Sequence, residues 1–476
     1  MPASRFRTVS AIVVALAATA AATPLALAGT AVETGPGPVP VPRQHVDFDG
    51  DGFEDLVVPV PEGTVSGVKK AGYLVVYPGN AKGVGPARHK VIHQNTAGVP
   101  GAATAGAGFG AGTTADIDRD GYTDLLVRPA KGPQVILFGG TKGLGTRAVD
   151  FKGRGGAVGD FDGDGRTDVA GIDHADWGGK VVVSENIGAD GSAGTTRTVL
   201  PADGSTQVES VQAVDINNDG RDDLLVRSGC TDEPDCDGTG LYLSTGTGFK
   251  ETPIVAAPGT YLNHSSVTVG SVNGDVYPDL VFTRQPTGYD SDLDFPSKGG
   301  AVAVVHGGPK GQNTKLKPKW ITQSTAGVPG ADEAGDAMGA SAAVADLDGD
   351  GYGEVVVGLP GEDVGKVKDA GGVLVFKGRA SGITGAGTKV IGQATKNVPG
   401  VDEKGDRFGG EVHIVAAAKR VPATLAVAAP GENTNQGAVW LFKGSRSGPV
   451  TKGSVSFGES SLGLKPSAVQ FGRLLG

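Results

Sequence analysis

The sequence predicts an all-β chain: a seven-bladed β-propeller of four-stranded antiparallel blades, with the first blade closed by the C-terminal strand. Three observations carry that expectation. A nine-residue acidic loop recurs along the chain, and each copy runs into a short apolar strand. A second apolar strand and then a polar one follow each loop, and repeats of tens of residues built from four short strands read as propeller blades. Composition agrees: 81 glycines in 476 residues and 5% aromatics suit tight turns and thin strands, and no long amphipathic helix is evident.

The loop is clearest at Asp47-Phe48-Asp49-Gly50-Asp51-Gly52-Phe53-Glu54-Asp55, where carboxylates occupy positions 1, 3, 5 and 9, glycine occupies position 6, and Leu56-Val57-Val58 follows. Alternate residues of a tight loop converge on one point. Hard anionic oxygens gathered there are what Ca²⁺ takes, at roughly 6–8 oxygen ligands. The opening resembles an EF-hand loop, but that loop's closing Glu is replaced by Val58, so this one leads into a strand.

Four more good copies follow. They are Asp116, Asp118, Asp120 and Asp124; Asp160, Asp162, Asp164 and Asp168; Asp215, Asn217, Asp219 and Asp223; and Asp346, Asp348, Asp350 and Glu354. About five Ca²⁺ sites are expected from these residues. A worn copy at Ser271, Asn273, Asp275 and Asp279 has Val276 where glycine belongs, and weak or no binding is expected there.

Each unit continues with a third strand, such as Tyr73-Leu74-Val75-Val76-Tyr77 or Val373-Leu374-Val375-Phe376. A seventh unit lacks its acidic loop. Leu425 to Glu432 is in register with Val355 to Glu362, which places Ala416, Ala418 and Arg420 where Asp346, Asp348 and Asp350 sit. No metal is expected there.

The N-terminus reads as an export signal. Arg5 and Arg7 precede an apolar run from Val9 to Ala22 that is too short for a comfortable membrane span. Ala26-Leu27-Ala28 suits cleavage after Ala28, so residues 1–28 are expected to be removed and the product secreted. Residues 29–43 form a Pro-rich linker, and 44–476 form the propeller. In an oxidising compartment Cys230 and Cys236 are expected to form a short-range disulfide. A net charge of −10 argues against nucleic acid as a partner, and a soluble monomer without membrane insertion is expected.

These pieces resemble the FG-GAP repeats of integrin α-subunit head domains and their bacterial relatives. The likeness rests on Phe109-Gly110, Met338-Gly339 and Phe408-Gly409, on Gly358-Leu359-Pro360-Gly361 and Ala428-Ala429-Pro430-Gly431, and on the acidic loops between them. Three linkers, Gln94 to Gly110, Gln323 to Gly339 and Gln393 to Gly409, are near-copies. The resemblance implies seven blades, with Ca²⁺ in the loops joining first and second strands and ligands on the opposite face. On that face Tyr289 and Phe295, in a long acidic loop, are candidate anchors for a ligand.

Two functions compete on the sequence. A binding or adhesion module for an extracellular protein or glycan needs only the propeller. A hydrolase or lyase working on the upper face needs a catalytic constellation, for which His174-Ala175-Asp176-Trp177 is the best candidate, and no Gly-x-Ser-x-Gly or His-Glu-x-x-His motif is present. The binding module is the favoured expectation. Finally, Asp47 has no Phe-Gly strand before it, while the chain ends with an orphan Phe471-Gly472. Joining the termini places Phe471 as far before Asp47 as Met338 lies before Asp346, so residues 466–476 are expected to supply the inner strand of the first blade.

Overall fold

The computed structural model describes residues 46–476 apart from 146, 175–177, 202–206, 230–237, 258–259, 261, 263–265, 287–294, 296 and 419–420. The disulfide expected between Cys230 and Cys236, the Asp176 and Trp177 partners of His174, Tyr289, Arg420, the export signal and the Pro-rich linker therefore lie outside the described residues.

The chain folds as a seven-bladed β-propeller. The second blade shows the plan: Gly112–Ala115, Asp124–Val127, Gln134–Phe138 and Arg147–Phe151 pair antiparallel in sequence order. The third, fourth, sixth and seventh blades repeat it over 157–200, 207–252, 342–391 and 411–457. In the fifth blade Ser266–Gly270, Asp279–Arg284 and Ala301–Val305 form three strands. The fourth is reduced to a reciprocal backbone pair between Val302 and Ile321, at 2.9 and 2.8 Å. Pro318, just before that pair, has no N–H to extend the ladder.

Middle strands are packed between neighbouring blades and are largely apolar. Leu56–Val60 and Tyr73–Tyr77 are buried at every residue, whereas the outer strand Val450–Phe457 is mostly exposed. The cores lie between blades. Val57, Leu74 and Val76 of the first blade share one with Leu125, Val127 and Leu137 of the second. The same arrangement joins last to first: Leu56, Val58 and Val75 pack with Ala426, Ala428 and Leu441, and with Val469 and Phe471 of the C-terminal segment.

That segment closes the ring, as expected, but as a shorter strand than expected. Gly476 exchanges two backbone hydrogen bonds with Val57, at 2.6 and 3.0 Å, and no regular strand runs through 466–476. Gln470 and Gly472, with φ of 53° and 85°, turn the chain at the Phe-Gly step as Ala337 and Gly339 do in the sixth blade, and only the end of the segment, beyond the turn, pairs with the first blade. Phe471 nonetheless does what its counterparts do. Its N–H donates to Gln436 O of the preceding blade at 2.9 Å, as Phe109 does to Ala71 O, Met338 to Gly299 O and Phe408 to Ala370 O.

Candidate functional site

Each acidic loop joins the first strand of a blade to its second, and two residues pin it from within the core. Position 2 is an apolar plug: Phe48, Ile117, Phe161, Ile216, Val272 and Leu347 are all buried between blades. Position 9 is a buried carboxylate that clamps the loop to the next strand. Asp55 Oδ2 accepts Phe48 N–H at 3.0 Å while its Oδ1 accepts Gly79 N–H at 2.7 Å. Asp124 does the same for Ile117 and Gly139, Asp168 for Phe161 and Asn186, and Asp223 for Ile216 and Ser244. Position 1 accepts the glycine N–H at position 6, as in Gly52 to Asp47 at 2.8 Å.

The backbone follows from these bonds. Position 6 takes left-handed φ, 79° at Gly52 and 89° at Gly121. Position 4 does so as well, and in the second loop it is Arg119, at 62°. A non-glycine residue there carries strain that glycine does not. Arg119→Gly is therefore expected to raise stability by about 0.5–1 kcal/mol in thermal melts, and an unchanged or lower melting temperature would contradict the strain.

In four loops the structure brings three carboxylates together, with oxygens within 4.8 Å of one another: Asp47, Asp49 and Asp55; Asp116, Asp118 and Asp124; Asp160, Asp162 and Asp168; and Asp346, Asp348 and Glu354. The position-5 residues Asp51, Asp120, Asp164 and Asp350 are outside these groups, each accepting the N–H two residues on. The 215–223 loop has the same hydrogen bonds, but Asn217 leaves it one carboxylate fewer, and its amide donates to Asp219.

Electrostatics set what these trios can do. Burial pushes Asp55 up to about 7 and Asp124 and Asp168 up to about 6, against the pull of their backbone donors. Burial also lifts Asp223 and Glu354 to about 7. Two oxygens in the trios, Asp118 Oδ1 and Glu354 Oε1, are buried with no hydrogen-bond partner. Hard, anionic and partly orphaned oxygens are the donor set a divalent cation takes, so the residues present fit one.

The fifth loop is held differently. Its Asp279 is buried and accepts Val272 and Asn273 N–H on one oxygen, and on the other Gly307 N–H, with His306 Nδ1 at 3.0 Å. An imidazole of the chain itself thus occupies the carboxylate that a metal would otherwise neutralise. His306→Ala is expected to cost about 2–3 kcal/mol equally with and without added metal, because it leaves Asp279 buried and short of a partner. Loss confined to metal-loaded protein would sink this account. In the sixth blade the residue aligned with His306 is Lys377, whose ammonium lies 2.8 Å from Asp348 and 2.9 Å from Asp350.

A feature with no sequence signal beyond its position ties loops to one another around the ring. Position 8 of a loop grips position 1 of the preceding one: Asp47 N–H donates to Thr123 Oγ1 at 3.1 Å, Thr167 Oγ1 to Asp116 O at 2.7 Å, and Asp160 N–H to Asp222 Oδ2 at 2.8 Å. Across the seam Glu54 accepts the N–H of Ala416, which stands at position 1 of the seventh, acid-free loop.

On the opposite face Phe295 is not a free anchor. Its ring meets Trp320 edge-on at 5.8 Å and lies under the Arg284 guanidinium at 4.4 Å, so it is already engaged within the chain. His174 is described, but the residues that would complete a catalytic reading are not.

Comparison with known proteins agrees with the architecture. Residues 45–77 and 338–376 match the FG-GAP repeat, and residues 160–226 match the FG-GAP-like repeat. Among solved structures, a Photorhabdus luminescens Tc holotoxin pore carrying a TccC3 substitution is 13% identical, with a TM-score of 0.38 over 84% of this chain. The chain spans 19% of that toxin's length. An arginine-to-alanine triple mutant of AofleA from Arthrobotrys oligospora is 11% identical, with a TM-score of 0.37 over 71% of this chain and 83% of that one. At these scores neither likeness says anything of function. No helix among the described residues is long and apolar enough to cross a membrane. The repeats matched, the loops they bracket and the closed ring together make this chain a seven-bladed β-propeller that contains FG-GAP repeats.

Proposed function

We propose that the protein is a secreted, Ca²⁺-stabilised propeller that acts as a binding module for an extracellular protein or glycan, exported by cleavage after Ala28. The observation that carries the metal part is the set of four carboxylate trios, two of them with a buried oxygen lacking any partner. Ca²⁺ is favoured over Mg²⁺ because the donors are carboxylates on a loop that the core already fixes, and Mg²⁺ demands near-octahedral geometry and gives up its waters reluctantly. The 215–223 loop is the fifth and weakest candidate. The binding part rests on the fold: the metal loops stiffen one face and leave the loops of the other free to carry recognition.

The test has two arms. Metal analysis of protein equilibrated by dialysis against millimolar calcium, corrected for the free ion outside, is expected to give four to five equivalents; none would overturn the metal reading. A glycan array and a pull-down from culture medium, each with and without chelator, are expected to return a ligand retained only by the metal-loaded protein. N-terminal sequencing of protein from the medium checks cleavage before Gly29.

A further inference from the structure

The loop joining second and third strands is not the same in every blade. In the first and sixth blades it spans 63–72 and 362–371, and folds into a tiny hairpin held by Val65–Val68 and Val364–Val367 backbone bonds. In the seventh blade it is cut back to 432–437, although the closing bond is kept: Gly437 N–H donates to Glu432 O at 3.0 Å, as Gly371 does to Glu362 O. The shortened turn is forced into the left-handed region at Asn433 (φ 50°, ψ 50°), Thr434 (φ 63°, ψ 52°) and Asn435 (φ 64°). Asn435 has counterparts in Lys70 and Asp369, both at φ 52°, so its conformation belongs to the fold. Asn433 and Thr434 have none, and a β-branched residue in that region is a true outlier. Such strain persists where the surroundings impose it, and it concentrates at ligand-holding sites.

Beside this turn, where the C-terminal segment joins the ring, lies a cavity of about 200 Å³. Glu432, Asn433, Gln436, Glu459, Ser460 and the indole of Trp440 are among the residues that line it, and no Lys, Arg or His does. Glu459 is already engaged, accepting hydrogen bonds from the Tyr73 hydroxyl at 2.7 Å and from the N–H and hydroxyl of Ser467. Glu432 is held in place by the Gln393 amide at 2.9 Å and by Asn433 Nδ2 at 3.0 Å. Burial, and then Asp406, raise Glu432 to about 7, so its carboxyl both donates and accepts near neutral pH.

Amides, hydroxyls and a carboxyl of mixed donor and acceptor character, set against an aromatic wall, are the groups that recognise a ring of hydroxyls. The volume is below that of drug-sized sites, roughly 300–1,000 Å³, and suits a single sugar unit. Two carboxylates without any cation repel an anionic one. We propose that this cavity at the ring seam binds one neutral or amino sugar unit, free or at the end of a glycan. The proposal rests on the binding-module reading and gives it a site and a ligand class.

The test uses the full calcium-loaded chain and its side-chain amide NMR signals, with N-acetylglucosamine, galactose, mannose, glucosamine and glucuronate as probes, and n-butylamine as a cation without hydroxyls. At least one neutral or amino sugar is expected to shift the Asn433 and Gln436 amides, and glucuronate is not. Glu432→Ala and the cavity-filling Ser460→Trp should each weaken that binding by about tenfold or more, the latter at an unchanged melting temperature. Response to n-butylamine alone, or to glucuronate as strongly as to the others, overturns the proposal. A sugar that binds but leaves these amides unmoved overturns the seam site and leaves the binding module standing. If no sugar binds while the pull-down captures a protein, the seam proposal alone falls. If nothing binds in either experiment, both fall.

Discussion

Exhaustive chelation is expected to lower the melting temperature by about 5–10 °C, and calcium to restore it. The argument starts from the trios. Each gathers three carboxylates around oxygens within 4.8 Å of one another, with the position-9 member buried. Without a cation they repel, and burial has already raised the proton affinity of the position-9 member. Extracellular sites of this kind bind at around 10⁻⁴–10⁻³ M, which at millimolar calcium gives about 1–2 kcal/mol per site. Four or five sites sum to about 4–10 kcal/mol, and the entropy of unfolding a chain of this size converts that to the shift stated. The loops should keep their shape in the metal-free protein, because positions 2 and 9 are held by the core and by backbone N–H groups, not by the ion. Circular dichroism unchanged by chelator at room temperature, alongside a lowered melting point, is the full expected result. An identical melting temperature with and without chelator would refute it.

Deleting residues 466–476 is expected to do more damage than removing every metal. The segment carries Phe471 and Val469, both buried in the core shared by the first and last blades, and Gly476, which pairs with Val57. Without it, Val57 loses its partner and the first blade presents an unpaired edge, a template for aggregation. The core between the first and last blades also opens to water. Phe471→Ala alone should cost about 3–5 kcal/mol, as emptying a buried phenylalanine site does. The milder variant keeps the idea testable if the deletion fails to fold. A Phe471→Ala protein that melts like the parent, or a truncated one that stays monomeric and cooperative, would show that closure is carried elsewhere. Trimming residues 29–43 serves as the control and should leave the melt unchanged.

A pH effect is expected away from the metal loops. Burial raises Glu411, at the start of the inner strand Glu411–Val415, to about 7 from 4.5. The folded state therefore binds the proton more tightly than the unfolded one. Glu411 adds nothing unfavourable below about pH 4.5, and costs stability progressively as pH rises to 7. Glu411→Gln should stabilise the protein at neutral pH by roughly 1–3 kcal/mol and have little effect at pH 4. Equal effects at the two pH values would rule this out.

Much of this was legible in the chain because its signals are local and repeated. Asp at alternate positions with a glycine at the sixth announces a loop, Val/Leu runs after it announce strands, and Phe471 stands where the register of Met338 requires. What determines those features is backbone geometry within a few residues, and repetition along the chain makes it plain. The rest depends on which strands pair and which blades face each other, and no local pattern encodes that. His306 reaches Asp279 only because adjacent strands place it there, and position 8 grips the neighbouring loop only once the ring exists. The same holds for the position-5 acids, which have the right spacing for a ligand yet turn to their own backbone. Sequence alone determined the blades, their order and the acidic loops, because each is an arrangement of near neighbours. Tertiary structure alone decided which carboxylates meet, that His306 pairs with Asp279 in the fifth blade and where a cavity opens at the seam, because those follow from how side chains turn and pack once the strands are paired.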